Sequence, residues 1–329
     1  MNTLYITEPY TVVRLSSRTL ILTKGKEKLA QVPLIRLDNI LVYGNAQITT
    51  QAMAALLEDG IEVSYLSPTG KLRGRLISGY SKNVIIRLAQ YEKYLDQEFT
   101  VNVARTIIKA KLRNGRKLIR RFSSNHRDID MAKELTTITF MLKKLDKQTT
   151  IPSMMGSEGV ATAAYFRAFG KMFLREFTFK SRTRRPPKDP VNALLSFGYT
   201  LLTNELLALI IAHGLDPYIG FLHGVTYGRP SLALDLVEEF RHPIIDRFVL
   251  RLINREILKK SDFDITENSV LLTDDGRRTF FRHYDRLLKK TIGQSEVELN
   301  LRDILKRQVR RMSASLKQGN PYEPYSFKA

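Results

Sequence analysis

The period of the apolar residues changes once along this chain, near Ser81, and that change limits the fold more than any other feature. Before it, short β-branched runs separated by turn formers or charge clusters read as strands over residues 3–6, 11–15, 19–23, 30–34, 37–42, 62–66 and 72–77. One helix interrupts them at 49–58, and Gly60 stands where a helix end favours left-handed backbone. After the change the spacing is helical, over 84–95, 99–122 and 131–145, with Asn114-Gly115 as a break point in the second. Ile151-Pro152 reads as a breaker, and Asp189-Pro190 as an N-cap with an N1 proline opening a mostly apolar helix that ends at His213-Gly214. Helices at 231–241, 243–260, 277–290 and 301–316 and one short strand at 269–272 follow. The expected class is α+β in two domains, a small β-rich domain over 1–80 and a larger all-α domain over 81–329. The last residues, 319–329, lack periodicity and are expected to be disordered.

Charge separates the same two regions. The formal net charge is +20, yet residues 1–80 hold nine basic and six acidic residues, so the helical part carries most of the excess. A surplus of this size points to a polyanion, either nucleic acid or an anionic membrane surface. Between Glu98 and Asp128 there is no acid, and nine cations stand there: Arg105, Lys109, Lys111, Arg113, Arg116, Lys117, Arg120, Arg121 and Arg127. A solvated face normally mixes signs, so this row reads as a phosphate-tracking surface. The proline-rich loop over 182–190 adds Arg184, Arg185 and Lys188. With no cysteine, thiolate metal sites, thiol nucleophiles and disulfides are excluded, which fits a cytoplasmic protein. No signal peptide, transmembrane run, nucleotide-binding glycine loop or serine-hydrolase elbow is read.

Two places carry possible chemistry. In HGVTYGRPSLALDLVEEFR (223–241), a helix puts Asp235 and Glu238 about 60° apart on one face, away from an apolar arc, with His223 upstream of a turn. One imidazole with carboxylates is a ligand set for a divalent metal, and a solvated acidic face with an isolated histidine explains the same residues. In GSEGVATAAYFRAFGKMF, Glu158 shares the face of Ala161, Thr162, Tyr165, Ala168, Phe169 and Met172. A carboxylate on an apolar face must be paired, protonated or metal-bound, unless it lies in a half-exposed first turn. His213 has a capping explanation at a helix end, and His126, His242 and His283, each among arginines, read as surface or phosphate-adjacent residues.

Three segments in order, GSEGVATAAYF (156–166), RRPPKDPVNALLSFGYTLL (184–202) and LHGVTYGRPSLALDLVEEFR (222–241), resemble the CRISPR adaptation integrase, the Cas-one family. The resemblance implies a metal-dependent endonuclease and integrase that joins 3′-hydroxyl ends of foreign DNA fragments to the CRISPR repeat. It implies Glu158, His223 and Glu238 as ligands of Mg²⁺ or Mn²⁺, and Asp235 as the other functional acid; Glu239 ranks below these. The implied partners are double-stranded DNA, a second copy joined through the β-rich domain, and a small ferredoxin-like Cas-two subunit. A trimming nuclease is a further candidate, and the setting is a prokaryotic cytoplasm without membrane contact. Arg105, Lys109, Arg113, Arg116, Lys117, Arg120, Arg184, Arg185 and Lys188 are the expected DNA contacts. A metal-dependent nuclease or branched-DNA resolvase would use the same ligands with water as nucleophile. A non-catalytic basic scaffold would use the acids only structurally.

Overall fold

The computed structural model describes residues 3–67, 72–79, 83–184, 186–292 and 299–327. It forms two compact units, Met1–Tyr80 with Phe280–Lys289, and Ser81–Thr279 with Lys290–Ala329.

The first unit follows from two-residue alternation. Strands β1 (Thr3–Ile6), β2 (Thr11–Ser16), β3 (Thr19–Lys24), β4 (Glu27–Pro33), β5 (Asn39–Tyr43), β6 (Ala46–Ile48), β7 (Glu62–Leu66) and β8 (Leu72–Leu76) make two four-stranded sheets. One has the order β1-β5-β7-β8, parallel except at its last pair, and the other the order β4-β3-β2-β6. Helix α1 (Thr50–Glu58) connects β6 to β7, and the Thr49 side chain caps it by accepting from the Ala52 N–H. Val13, Leu20, Ile40, Leu56 and Val63 are fully buried in the shared core, each worth about 1.5–3 kcal/mol of burial. At three residues, β6 is too short for alternation to be read. Ten residues from far downstream complete the unit: Phe281 packs on Tyr5 and Tyr43, with ring centroids 5.1 and 5.5 Å away. A boundary read from the change of period alone has no means of including them.

The second unit contains α2 (Val84–Leu95), α3 (Gln97–Asn125), α4 (Ala132–Lys144), α5 (Ile151–Lys171), α6 (Pro190–Ala212), α7 (Ser231–Glu238), α8 (Arg247–Asn254) and α10 (Leu301–Gln318). Helix α9 (Asp274–Lys289) begins here and ends in the first unit. By length and apolarity α6 could cross a membrane, but most of its residues are buried inside the unit, as befits a core helix.

Several expectations need correction. Asn114-Gly115 does not break α3, which is continuous. A Cβ on Gly115 would lie 2.9 Å from the His242 ring and 3.0 Å from the Tyr165 ring, so the glycine admits close packing instead. Pro152 lies in the first turn of α5, where a missing N–H costs nothing, so it opens that helix. The helix expected at 231–241 ends its α-helical part at Glu238; a π-helical turn, Arg241–Asp246, replaces the start of the one expected at 243–260. The strand near 270 has an antiparallel partner, β9 (Phe263–Ile265) with β10 (Val270–Leu272).

The tail is not disordered over its described residues. Tyr322 and Phe327 are buried. Asn114 donates to the carbonyls of Glu239 and Tyr325 and accepts from the Phe327 N–H. Tyr325 stacks on Phe240. Aperiodic sequence can be ordered when, as here, its backbone polar groups meet fixed side-chain partners.

Candidate metal and DNA site

Glu158 comes from the second turn of α5, so the half-exposed first-turn explanation does not apply. Glu238 is the last residue of α7. They meet on one cation, the ammonium of Lys111 from α3, which lies 2.5 Å from Glu158 Oε1 and 2.7 Å from Glu238 Oε2. Thr162, one turn beyond Glu158, donates to the same Oε1 at 2.7 Å. Arg241 stands 3.3 Å from the other Glu238 oxygen and spreads over the Tyr199 ring at 4.8 Å. Glu238 is almost wholly enclosed, with 4% of its side chain exposed, against 22% for Glu158. The site is therefore open on the Glu158 side.

Charge sets the ionisation of both acids. Burial pushes the Glu158 carboxyl up, but Lys111 and the Thr162 hydroxyl outweigh it and bring it below its usual range. Burial opposes ionisation of Glu238 too, yet Arg241 and Lys111 bring it down to about 2. Both are carboxylates at neutral pH.

Asp235 has a different task. It is fully buried and accepts backbone N–H bonds from Phe221, Leu222 and His223 as well as the His223 Nδ1–H at 2.8 Å. The loop can wrap this closely because residue 220 is glycine: a Cβ there would sit 2.9 Å from Asp235 Oδ2. A carboxylate can only accept, so the shared proton is on Nδ1, and in the neutral ring Nε2 keeps its lone pair. The helical wheel puts Asp235 and Glu238 on one face, but Asp235 turns to the loop and Glu238 to α3.

Glu239 faces elsewhere. It accepts from the Tyr322 hydroxyl and the Tyr325 N–H, and burial pushes its carboxyl up to about 8. It anchors the tail.

The donor chemistry suits a divalent ion: two carboxylates, one imidazole, and at Glu238 Oε2 a buried oxygen that makes no hydrogen bond of good geometry. The arrangement is less complete. Among the described residues no three acidic or histidine side chains converge on one point. Glu158 and Glu238 are brought together, while His223 is turned onto Asp235.

Lys111 and Arg241 escaped the sequence reading of the site. Lys111 stands in the basic row, yet it shares the buried face of Ala104, Ile107, Ile108 and Leu118. The reasoning that singled out Glu158 on an apolar face applies to it equally. The remaining cations divide into two sets. Arg113, Arg120 and Arg121 on α3 and Arg127 just beyond it are exposed, as are Arg184 and Lys188; Arg185 lies outside the described residues. The others are tied to the protein. Arg105 donates to Asn102 and the Gln148 carbonyl, and Lys109 pairs with Asp146. Arg116 donates to Thr139, and Lys117 to Ser326 and the Phe327 carbonyl.

His242 is neither at the surface nor near a phosphate path. It is buried, and its Nδ1 donates to Asp246 at 2.7 Å. Asp246 also accepts from the hydroxyls of Tyr165 and Tyr199. The pair stands at (i, i+4), a spacing that places two side chains on one helical face, inside the π-helical turn.

Comparison with known proteins places the chain in a family. Residues 4–286 match the family model of the CRISPR associated protein Cas1. The CRISPR-associated endonuclease Cas1 3 of Thermus thermophilus is 36% identical over 99% of this chain and 96% of its own length. A CRISPR-associated exonuclease Cas4/endonuclease Cas1 fusion of Geobacter sulfurreducens is 34% identical over 98% of this chain, which spans 59% of that protein. Among solved structures, a casposase bound to its integration product superposes with a TM-score of 0.86 at 26% identity, over all of this chain and 96% of the other. The chain belongs to the CRISPR-associated Cas1 family.

Proposed function

We propose that this protein is a spacer-acquisition integrase, a DNA endonuclease and transesterase that joins the 3′-hydroxyl ends of foreign fragments to the CRISPR repeat. The observation that carries the reading is the meeting of two ionised carboxylates from different helices, Glu158 and Glu238, on a single cation. Family membership and likeness to a casposase caught on its integration product support the reaction class.

Glu158, Glu238 and His223 would hold the metal, and the Asp235 hydrogen bond keeps His223 in the tautomer whose Nε2 can ligate. An imidazole in the set tilts the choice toward Mn²⁺, while Mg²⁺ prefers oxygens. When bound, the ion lowers the pKa of the attacking hydroxyl and offsets the charge growing on the phosphate. Arg241 keeps Glu238 ionised and fixed. Exposed Arg113, Arg120, Arg184 and Lys188 would take DNA phosphates, with Arg185 beside them in sequence; contacts of this kind position the duplex and leave its bases unread. Arg105, Lys109, Arg116 and Lys117 reach DNA only by leaving their present partners.

The partners in this reading are double-stranded DNA, a second copy of the chain joined through the β-rich unit, and a ferredoxin-like Cas-two subunit, in a prokaryotic cytoplasm. A trimming nuclease is supported by the Geobacter sulfurreducens relative, whose name joins an exonuclease to an endonuclease. Glu158→Ala separates this reading from its rivals. Joining of a labelled 3′-end to a repeat plasmid should disappear while duplex affinity stays within about twofold. Joining by the mutant at the wild-type rate would refute the metal role. Target cleavage by the wild type with no joined product, metal and fragment present, would favour a nuclease.

A further inference from the structure

Lys111 lies where a cation bridging Glu158 and Glu238 has to lie. Its ammonium is within 2.7 Å of one oxygen of each carboxylate, and only 7% of its side chain is exposed. A metal bound by the same two oxygens would be in contact with it. We propose that Lys111 is a placeholder: it holds the two carboxylates together and gives up its position when the metal binds. The inference rests on the metal reading above and concerns a residue to which that reading gives no role.

Three observations support it. The first is electrostatic. Glu158 and Glu238 are already matched by two cations, Lys111 and Arg241. A divalent ion added to that set leaves an excess of two positive charges in a low-dielectric place, and departure of the lysine removes half of it. The second is mechanical. Arg241 is pinned between Glu238 and the face of Tyr199, whereas Lys111 hangs on a flexible four-carbon stem. Of the two cations, the lysine is free to move. The third is directional. Glu158 is the more exposed of the two acids, so an ammonium released from Glu238 can swing past it toward solvent. There it would meet the phosphate backbone of bound DNA, which gives the displaced charge a partner. Metal entry and phosphate arrival are then coupled through one side chain.

Amine labelling followed by mass spectrometry tests this on the intact wild-type protein, with exposed Lys144 as internal reference. Without metal Lys111 should be protected; saturating Mn²⁺ should raise its labelling several-fold while Lys144 stays constant. Calorimetry is run in parallel. Lys111→Met should melt at a lower temperature without metal, because two buried carboxylates lose their shared cation, and Mn²⁺ should restore the loss. Its Mn²⁺ affinity should exceed that of the wild type by about tenfold. If Lys111→Met does not fold, Lys111→Gln replaces it, and the labelling needs no variant. Mn²⁺ binding that depends on Glu158 and Glu238 while Lys111 stays protected overturns the placeholder role and leaves the metal reading intact. Mn²⁺ binding unchanged by Glu158→Gln, or absent altogether, overturns both.

Discussion

Two histidine–aspartate pairs in the helical unit have nearly the same geometry and opposite surroundings. His223 donates to Asp235 at 2.8 Å and keeps 25% of its side chain exposed; His242 donates to Asp246 at 2.7 Å and keeps 2%. Asp235 spends its remaining acceptor capacity on backbone N–H groups, so it fixes a loop and leaves the imidazole as the only movable member. Asp246 spends its capacity on two phenols, and His242 packs against Tyr165 with ring centroids 3.8 Å apart. Burial and Asp246 hold both phenols well above their ordinary pKa, so they remain donors. Equal hydrogen bonds thus serve different ends: one presents a nitrogen, the other closes a core.

The largest effect on stability should come from cutting the buried pair. Asp246→Ala leaves two tyrosine hydroxyls and an imidazole buried without their acceptor, each worth about 1–3 kcal/mol, so a loss of about 3–5 kcal/mol is expected. Urea titration followed by circular dichroism measures it. A loss below about 1 kcal/mol would mean that water reaches the network, and the contrast between the pairs would fail.

The histidines sharpen the contrast. His242→Ala should cost about 2–4 kcal/mol through cavity formation and an unpaired carboxylate. His223→Ala should cost under about 1 kcal/mol, since its ring is partly solvated, yet reduce strand transfer by about two orders of magnitude. Melting curves beside a single-turnover joining assay separate the two. Near-normal joining by His223→Ala would remove the imidazole from the ligand set. Asp235→Asn tests the brace, and Mn²⁺ affinity should fall by about 10–100-fold without loss of Glu158 or Glu238.

These pairs also mark where sequence reasoning succeeds and stops. Strand and helix periods are local, so β1, β7, α2 and α4 are legible within a residue or two. Glu158 and Glu238 are legible as acids at odds with, or apart from, an apolar arc. Lys111 obeys the same signal, but its place in a row of cations masks it as a surface residue. The burial of His242 is harder to read, because it depends on Gly115 of another helix admitting its ring, a consequence of tertiary packing. Order in the tail depends on Asn114 and Glu239, over 80 residues upstream of Tyr325, which no local pattern encodes.

A third buried acid extends the comparison with the smallest effect. Glu134 on α4 is 7% exposed and pairs with Lys171 of α5 at 2.9 Å, but the lysine is 42% exposed. Burial pushes the Glu134 carboxyl up, and the hydrogen bond and charge of Lys171, its own backbone N–H and Arg167 together bring it below its ordinary value. A folded-state value below the unfolded one means the unfolded chain takes up the proton first. The stabilisation is therefore present above about pH 4.5 and is lost as pH falls through the lower, folded value. Solvent screening at the lysine limits the contribution to under about 1 kcal/mol. Glu134→Gln should leave stability at pH 7 slightly reduced and flatten the acid limb between about pH 5 and 3 relative to the wild type. An acid limb unchanged in the mutant would place the acid sensitivity elsewhere, with Glu158 and Glu238, whose depressed values have the same sign, as the next carboxylates to substitute.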